Sequence, residues 1–339
     1  MTAGARVAAV VVHYGEAAPT RRCLDSLAGF PEIVLVDQPP ILFGEHPAVT
    51  RRIAADRNLG YAAACNLGVA ATDAPFVLLL NNDTLVGESA GEGLAQALAG
   101  LDDDVAGACL KILDLDGRRL QSAGGLWFTA DGIGFPHGFG ELDQGQHDNL
   151  RPQEVGVPSG AAAVYRRSAW LEAGGMDEDF FCYCEDGDLG LRMVAAGHRF
   201  AWLPRVVVRH ELSAASSAHS AFKAFHVERN HFATMLHVAR VPRLAMLPLW
   251  AIARVGRMAL DAARGRGAGA GLAGETSLPA LAATLVRAWS GAARMLPASL
   301  AVRRELLLKD PEALRRVERF LDARLVPLAE FLRSRDSTR

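Results

Sequence analysis

No stretch of this chain is apolar for long enough to cross a bilayer. Spanning takes roughly 20 apolar residues. The most apolar late segment, residues 244–253, is far shorter, contains Pro248 and lies between Arg243 and Arg254. A secretory leader is not legible either, because the N-terminal region enters an apolar strand pattern with no basic region and cleavage site before it. Cysteine is scarce and odd in number: Cys23, Cys65, Cys109, Cys182 and Cys184, without zinc-ligand spacing. Cys182 and Cys184 flank Tyr183, where simple alternation puts both on one face with no metal to explain. These shortages favour a reducing, cytoplasmic setting, peripheral at most to the inner face of the plasma membrane. No G-x-G-x-x-G follows the first strand, which argues against a nicotinamide dehydrogenase. The segment VVVHYGEAAPT lacks the glycine-rich, basic phosphate loop of a nucleotidyltransferase. No internal repeat is visible.

What is present describes a globular protein. The 339 residues are 50% hydrophobic and 22% charged, enough for one large core or two ordinary ones. The net charge of −2 hides an asymmetry. Residues 240–339 hold 18 Lys and Arg against 9 Asp and Glu, a net of +9, and residues 1–239 hold 18 against 29, a net of −11. The acidic part suits a site that holds a cation and gives nucleic acid little to bind. The basic part suits an anionic partner such as a lipid surface or a phosphorylated carrier.

The first half alternates strand-like and helix-like segments, as in an α/β sheet. Residues 5–13 read as a buried strand. Pro19 and Thr20 open a helix with Leu24, Leu27 and Ala28 on one face. Residues 32–37 form a second strand, residues 60–71 an Ala-rich helix, and residues 75–81 a third strand. Asp37, Asn82 and Asp83 stand at the C-terminal ends of these strands, the edge where open α/β sheets bind ligands. Residues 117–158 are Gly-rich, with aromatics interspersed, and read as a long excursion around the site. Residues 161–165 form a strand, 168–173 a helix and 206–208 a last strand. After Ser213 helix predominates. Residues 265–274 (GRGAGAGLAG) read as a flexible linker, and Asp310-Pro311 starts a helix that buries Leu314, Val317 and Leu321.

Four constellations carry chemistry. In LLLNNDT, Asp83 follows a buried strand beside two amides, placed either to hold a hard divalent cation such as Mg²⁺ or Mn²⁺ or simply to make a turn. In CEDGDLGLR, Glu185, Asp186 and Asp188 crowd negative charge where a helix begins, which the helix dipole alone also favours; Asp188 and Arg192 are four apart and can pair. His210 ends a strand. In RNLGYAAACNLG, which begins at Arg57, Gly60 permits a close backbone approach and Asn58 and Asn66 offer amide hydrogen bonds.

Taken together, VVVHYG, LVDQ, RNLGYAAACNLG, LLLNNDT, PSGAAAVYRRSAWLEAGGMDEDFFCYCEDGDLGLR and VVVRH resemble a family-2 glycosyltransferase with the Rossmann-like GT-A fold, especially its bacterial rhamnosyltransferase-like branch. The resemblance runs from about Val7 to His231. Beyond it, residues 233–339 read from their own pattern as a mainly helical C-terminal extension whose basic, Trp250-containing segments are either membrane-associating or an oligomerising packing domain with solvated arginines. The resemblance itself implies an α/β GT-A nucleotide-diphospho-sugar transferase domain over residues 1–232. It implies nucleotide-sugar contacts from His13, Tyr14, Gly15, Asp37, Arg57, Asn58, Gly60, Asn66 and Asn82. Asp83 is the expected ligand of a Mn²⁺ or Mg²⁺ cofactor, with His210 completing the metal site as in some relatives. Asp186 matches the catalytic base, with Glu185, Asp188 and Arg192 on the acceptor side or in support; Arg192 is expected to steady Asp188. Arg229-Asn230 matches a pair that relatives share near the acceptor. Two departures stand out: VDQPP replaces the usual Asp-Asn-Ser turn, and Asn81 replaces the first Asp of the metal motif.

The implied activity is inverting transfer of a sugar, rhamnose as first choice, from a nucleoside-diphosphate sugar to a hydroxyl of a saccharide or lipid-linked acceptor, in cell-surface polysaccharide or glycolipid assembly. The rival reading is a non-catalytic sugar-nucleotide-binding or scaffold protein of the same fold. The presence of both Asp83 and Asp186 speaks against it.

Overall fold

The seven residues of β1 (Val7–His13) are buried on both faces, so this strand must be central. In the computed structural model, which describes residues 5–87, 90–211, 220–263 and 278–334, it is. It pairs in parallel with β2 (Glu32–Asp37) on one side and β4 (Phe76–Asn81) on the other, and β2 pairs in parallel with β3 (Arg51–Ala54). A strand buried on both faces gains from an unbroken apolar run, which VAAVVVH supplies. The remaining strands are β5 (Thr84–Val86), β6 (Val105–Leu113), β7 (Leu120–Ser122), the short β8 (Leu126–Phe128) and β9 (Gly134–Pro136), β10 (Ala162–Arg166) and β11 (Arg199–His210). The large sheet runs β3-β2-β1-β4-β10-β6-β11-β5, with β7 paired to β6. Beyond β4 it turns mixed: β10 is antiparallel to both β4 and β6, whereas β11 is parallel to β6 and antiparallel to β5.

Helices cover both faces. On one, Val7, Ala9, Val11, Leu35, Leu78 and Leu80 share a core with Leu24, Leu27 and Leu94. Leu24 lies in α1 (Ala17–Ser26), Leu27 caps its C-terminal end, and Leu94 lies in α3 (Ala90–Ala99). Ala28, expected on the buried face, is exposed because the helix has already ended. On the other face α2 (Tyr61–Ala70) lies so close that a Cβ on Gly68 would sit 2.3 Å from Val10 Cγ1.

Several elements went unread in the sequence. The nine residues of β6 are all buried, yet Gly107, Lys111 and alternating small residues blur the apolar signal. Lys111 is held there by Asp143, at 3.2 and 3.1 Å, and by Asp148 at 2.5 Å. The last strand, expected over three residues, has twelve, with a register shift between Leu203 and Val207. The linker expected at 265–274 lies outside the described residues.

The chain divides into two compact units. The first comprises Met1–Leu126, Pro136–Met193 and His198–Ala215; the second comprises Trp127–Phe135, Val194–Gly197 and Ser216–Arg339. The expected boundary at residue 232 falls inside helix α6 (Ala221–Val238) of the second unit. That unit is helical, as expected. Its helix Ala313–Ala323 buries Leu314, Val317 and Leu321, and Asp310 Oδ1 accepts the Glu312 N–H at 2.8 Å just before it.

Gly107 tests how closely the antiparallel strands are packed. A Cβ there would lie 2.1 Å from the Val164 carbonyl oxygen, a backbone atom that cannot rotate away. Gly107→Ala is expected to destabilise the chain by about 1–3 kcal/mol or more, as overpacked cores do. The shift in urea midpoint at constant slope measures it.

Candidate active site

The parallel strands β1, β2 and β4 end together, delivering His13, Asp37 and Asn81-Asn82-Asp83 to one edge of the sheet. Antiparallel pairing of β5 with β11 sets His210 opposite Thr84, and so brings it to Asp83. Asp83 Oδ1 lies 3.2 Å from His210 Nε2, with both side chains about a tenth exposed.

The hydrogen-bond directions around His210 can be worked out. Gln121 Nε2 donates to the His210 backbone carbonyl at 2.8 Å, which fixes the amide so that its Oε1 faces His210 Nδ1 at 2.7 Å. An amide oxygen only accepts, so Nδ1 carries the proton. In the neutral ring Nε2 then presents a lone pair to Asp83 Oδ1, a buried oxygen with no hydrogen-bond partner. A proton on Nε2 or a metal ion between the two satisfies both atoms, and a carboxylate oxygen with an imidazole nitrogen is a donor set that a divalent ion accepts. One carboxylate and one imidazole leave most of its coordination to phosphate oxygens and water. Among the described residues no cluster of three or more His, Cys, Asp or Glu side chains stands ready for a metal. Gln121 was not picked out in the sequence. Its signal is only spatial, because it reaches His210 from β7.

The neighbouring network is equally directional. His13 Nε2 faces the Ile41 carbonyl at 2.9 Å and must donate to it, so Nδ1 accepts from Thr20 Oγ1 at 2.6 Å. Thr20 Oγ1 in turn accepts from Asn82 Nδ2 at 2.9 Å. Thr20 thus ties the first loop to the Asn-Asp motif.

The second carboxylate group starts α5 (Glu185–Ala195). Asp186 is half-buried. Its Oδ2 accepts the Gly160 N–H at 2.6 Å and its Oδ1 the Gly187 N–H at 2.7 Å. Burial raises its pKa and these amides hold the rise back, leaving it above the ordinary aspartate value. Glu185 is buried, with Oε2 unpartnered. Burial first, and then the negative charge of Asp186, push its carboxyl up to about 8. Asp188 is fully buried and accepts from Arg192 Nε at 2.7 Å, while Arg192 also donates to the Ala173 and Gly175 carbonyls. Arg192 thus ties Asp188 to the turn that carries Ala173 and Gly175.

The loop preceding β10 joins the two acidic motifs. Ala161 O accepts the Asn81 N–H at 3.0 Å, and its neighbour Gly160 holds Asp186. Tyr61 Oη donates to the Gly160 carbonyl at 2.7 Å. Just before Glu185, Phe181, Tyr183 and Cys184 all have positive φ, at 63°, 67° and 70°. Non-glycine residues in such conformations cost about 1–3 kcal/mol each. The Phe181 carbonyl is captured by the Tyr61 and Ala62 N–H groups, at 2.6 and 3.2 Å.

Several residues expected to meet the nucleotide make hydrogen bonds within the protein. Asp37 is fully buried, accepts from Phe43 N and Gly44 N and pairs with Arg52 at 2.6 Å; the amides and the guanidinium hold it below the usual carboxylate range despite burial. Asn66 binds both the N–H and the carbonyl of Met176, and Glu178 as well. Asn58 Oδ1 accepts the Gly60 N–H in a local turn. Gly60 has φ of 81°, and its close approach is to Phe181. His13 is closed as described. Tyr14 and Arg57 are exposed, Gly15 (φ 87°) has open space on its Cβ side, and Asn82 is half-buried. None of the five cysteines is in a disulfide.

A mixed sheet of this order, with an acidic motif beyond β4 and a second at the start of α5, is the GT-A architecture of glycosyltransferases. Residues 42–233, more than half of the chain, match the family described as Glycosyltransferase like family 2, and the chain belongs to that family. It is 37% identical over 98 residues to an N-acetylglucosaminyl-diphospho-decaprenol L-rhamnosyltransferase of Mycobacterium tuberculosis (strain CDC 1551 / Oshkosh). That match covers 28% of this chain and 30% of the relative, so the chain spans less than a third of the relative's length. Among solved structures it is similar to S. aureus TarS 1-349 in complex with UDP-GlcNAc (TM-score 0.53, 14% identity, covering 94% of this chain and 90% of that one). It is also similar to GalNAc-T7 with UDP, GalNAc and Mn²⁺ (TM-score 0.53, 14% identity, covering 71% and 49%). At that identity the likeness is one of fold.

Glu185 makes stability depend on pH in a definite direction. Its folded pKa lies above its ordinary value of 4.5, so the folded chain binds more protons than the unfolded one between about 4.5 and 8. Stability is therefore expected to fall as pH rises through that window. Glu185→Gln should flatten the decline, as read from melting temperature across the window.

Proposed function

We propose that this chain is an inverting, divalent-metal-dependent glycosyltransferase that takes a nucleoside-diphosphate sugar, rhamnose as first choice, to a hydroxyl on a saccharide or lipid-linked acceptor. The observation that carries the reading is the 160–161 loop, whose adjacent residues hold Asp186 and the Asn81 end of the Asn-Asp motif. Sugar transfer itself follows from the family. The rhamnose donor and an acceptor built on a lipid diphosphate are supported by the identity to the mycobacterial enzyme over its matched part. A role in cell-envelope assembly follows from the same acceptor chemistry.

In this reading Asp83 and His210 hold the cation, and Gln121 holds His210 in the tautomer that ligation requires. When bound there, the ion supplies positive charge against the departing diphosphate. Tyr14, Gly15, Arg57 and Asn82 line the donor side. His13, Asp37, Asn58, Gly60 and Asn66 shape it from behind. Asp186, oriented by two amide N–H groups, accepts the proton of the acceptor hydroxyl as that oxygen attacks the anomeric carbon from the face opposite the leaving group. A single displacement inverts the carbon. Buried beside it, Glu185 stays protonated at neutral pH, so the pair carries one negative charge rather than two.

Asp186→Asn should reduce transfer by about 10²–10⁴-fold, the usual worth of a positioned base, with donor affinity nearly unchanged. Asp83→Ala should abolish Mn²⁺-dependent stabilisation by the nucleotide in a thermal-shift assay. Near-normal transfer by Asp186→Asn would remove the base assignment, and retention of the anomeric configuration by NMR would remove the inverting one. Gln121→Leu is expected to weaken Mn²⁺ affinity, measured calorimetrically with nucleoside diphosphate present, by about 10–100-fold. An unchanged affinity would assign Gln121 to packing alone.

A further inference from the structure

The helix α7 (Val241–Ala263) is built inside out. A helix against a protein core normally buries its apolar stripe and turns its charges to water. In the same unit Ala313–Ala323 does so, with Val317 buried and Arg315 and Arg319 exposed. In α7 the inward face carries Arg243 and Arg254 beside Leu247 and Ala251. Arg254 pairs with Glu228 at 2.6 and 3.0 Å and with Asp131 at 2.6 Å, all buried. Arg243 pairs with Glu318 and Asp322 at 2.9 and 2.5 Å. The outward face, at spacings of three and four, presents Ala245, Met246, Leu249, Ile252, Ala253 and Leu260. Leu249 is 58% and Ile252 61% exposed. From Val241 to Leu260 the one charged residue on that side is Arg257.

The 32-residue helix Leu278–Lys309 also turns apolar side chains outward, although its inward face is small and uncharged. Thr284, Ala288, Gly291, Ala292 and Ser299 face inward, and Val286, Trp289, Leu300 and Leu308 face out among Arg287, Arg294 and Arg304.

Charges paired inside and hydrocarbon outside is the arrangement stable where the outer medium is lipid. Among the described residues no helix is long and apolar enough to cross a membrane, so such a face can only lie along the interface. The exposed arginines of this unit, among them Arg240, Arg257, Arg287, Arg294 and Arg304, select the partner. An anionic headgroup layer attracts them, whereas a second copy of the chain would bring like charges together.

We propose that the outward face of α7 docks in the plane of an anionic lipid bilayer, with the surrounding arginines on the headgroups. The inference does not rest on the donor, metal or base assignments, and its test needs no sugar transfer.

The test is flotation of the full chain with vesicles of phosphatidylcholine, alone or mixed with phosphatidylglycerol. The chain should partition about tenfold or more in favour of the anionic vesicles, less so at high salt. The double variant Leu249→Glu with Ile252→Glu, at exposed positions, should melt at the same temperature and lose flotation. Wild type that fails to float, or a folded double variant that floats as well as wild type, overturns the proposal. So does a wild-type dimer in sedimentation velocity that the double variant abolishes without any vesicle binding, because the face would then belong to a second copy.

Discussion

The hydrogen bond from the Gly160 N–H to Asp186 is the contact on which the candidate site depends. It ties the start of α5 to the loop before β10, and the next residue of that loop holds the end of β4. Gly160 leaves no slack: a Cβ there would stand 3.2 Å from Asp186 Oδ2. Tyr61, at the first turn of α2, grips the carbonyl of the same glycine. Three elements distant in sequence therefore converge on one peptide unit. The left-handed residues Phe181, Tyr183 and Cys184 carry the chain abruptly into α5 and so aim the Glu185-Asp186 pair.

Around this joint the carboxylates take different roles because their partners differ. Asp37 and Asp188 meet guanidinium groups and close the structure. Asp186 meets only amide N–H groups and remains half-exposed. Glu185 has a buried oxygen with no partner, and its proton stays on to about pH 8. Asp83 faces an imidazole nitrogen whose orientation Gln121 sets. One fold thus gives similar side chains different surroundings, and the proposed proton acceptor and cation ligand are the carboxylates that no guanidinium meets.

Helix α7 of the second unit obeys a different rule. There the strong electrostatic contacts are internal, Arg254 with Glu228 and Asp131 and Arg243 with Glu318 and Asp322, and apolar side chains lie outside. Read as composition, the basic tail pointed equally to a membrane surface or to solvated helices. The proposal for a membrane surface rests on which face of the helix the arginines occupy, and that depends on where Glu228 and Asp131 stand.

The amino-acid sequence by itself determined the parallel core and the positions of the acidic motifs. Short uninterrupted runs such as VAAVVVH and FVLLLN, rich in β-branched or aromatic residues, read as strands buried on both faces, and Asn and Asp at their ends mark the edge of a sheet. It also carried the family, through GGMDEDFFCYCEDGDLGLR and its neighbours. It did not reveal β6, whose glycine and lysine serve a tight crossing and a buried ion pair. Nor did it show that hydrogen-bonding groups of Asp37, Asn66 and His13 are met within the protein. Only the tertiary structure decided that. A polar side chain's function depends on whether its hydrogen-bonding capacity is already filled, and the groups that fill it, Arg52, Met176 and Thr20, reach it through folding rather than through local pattern.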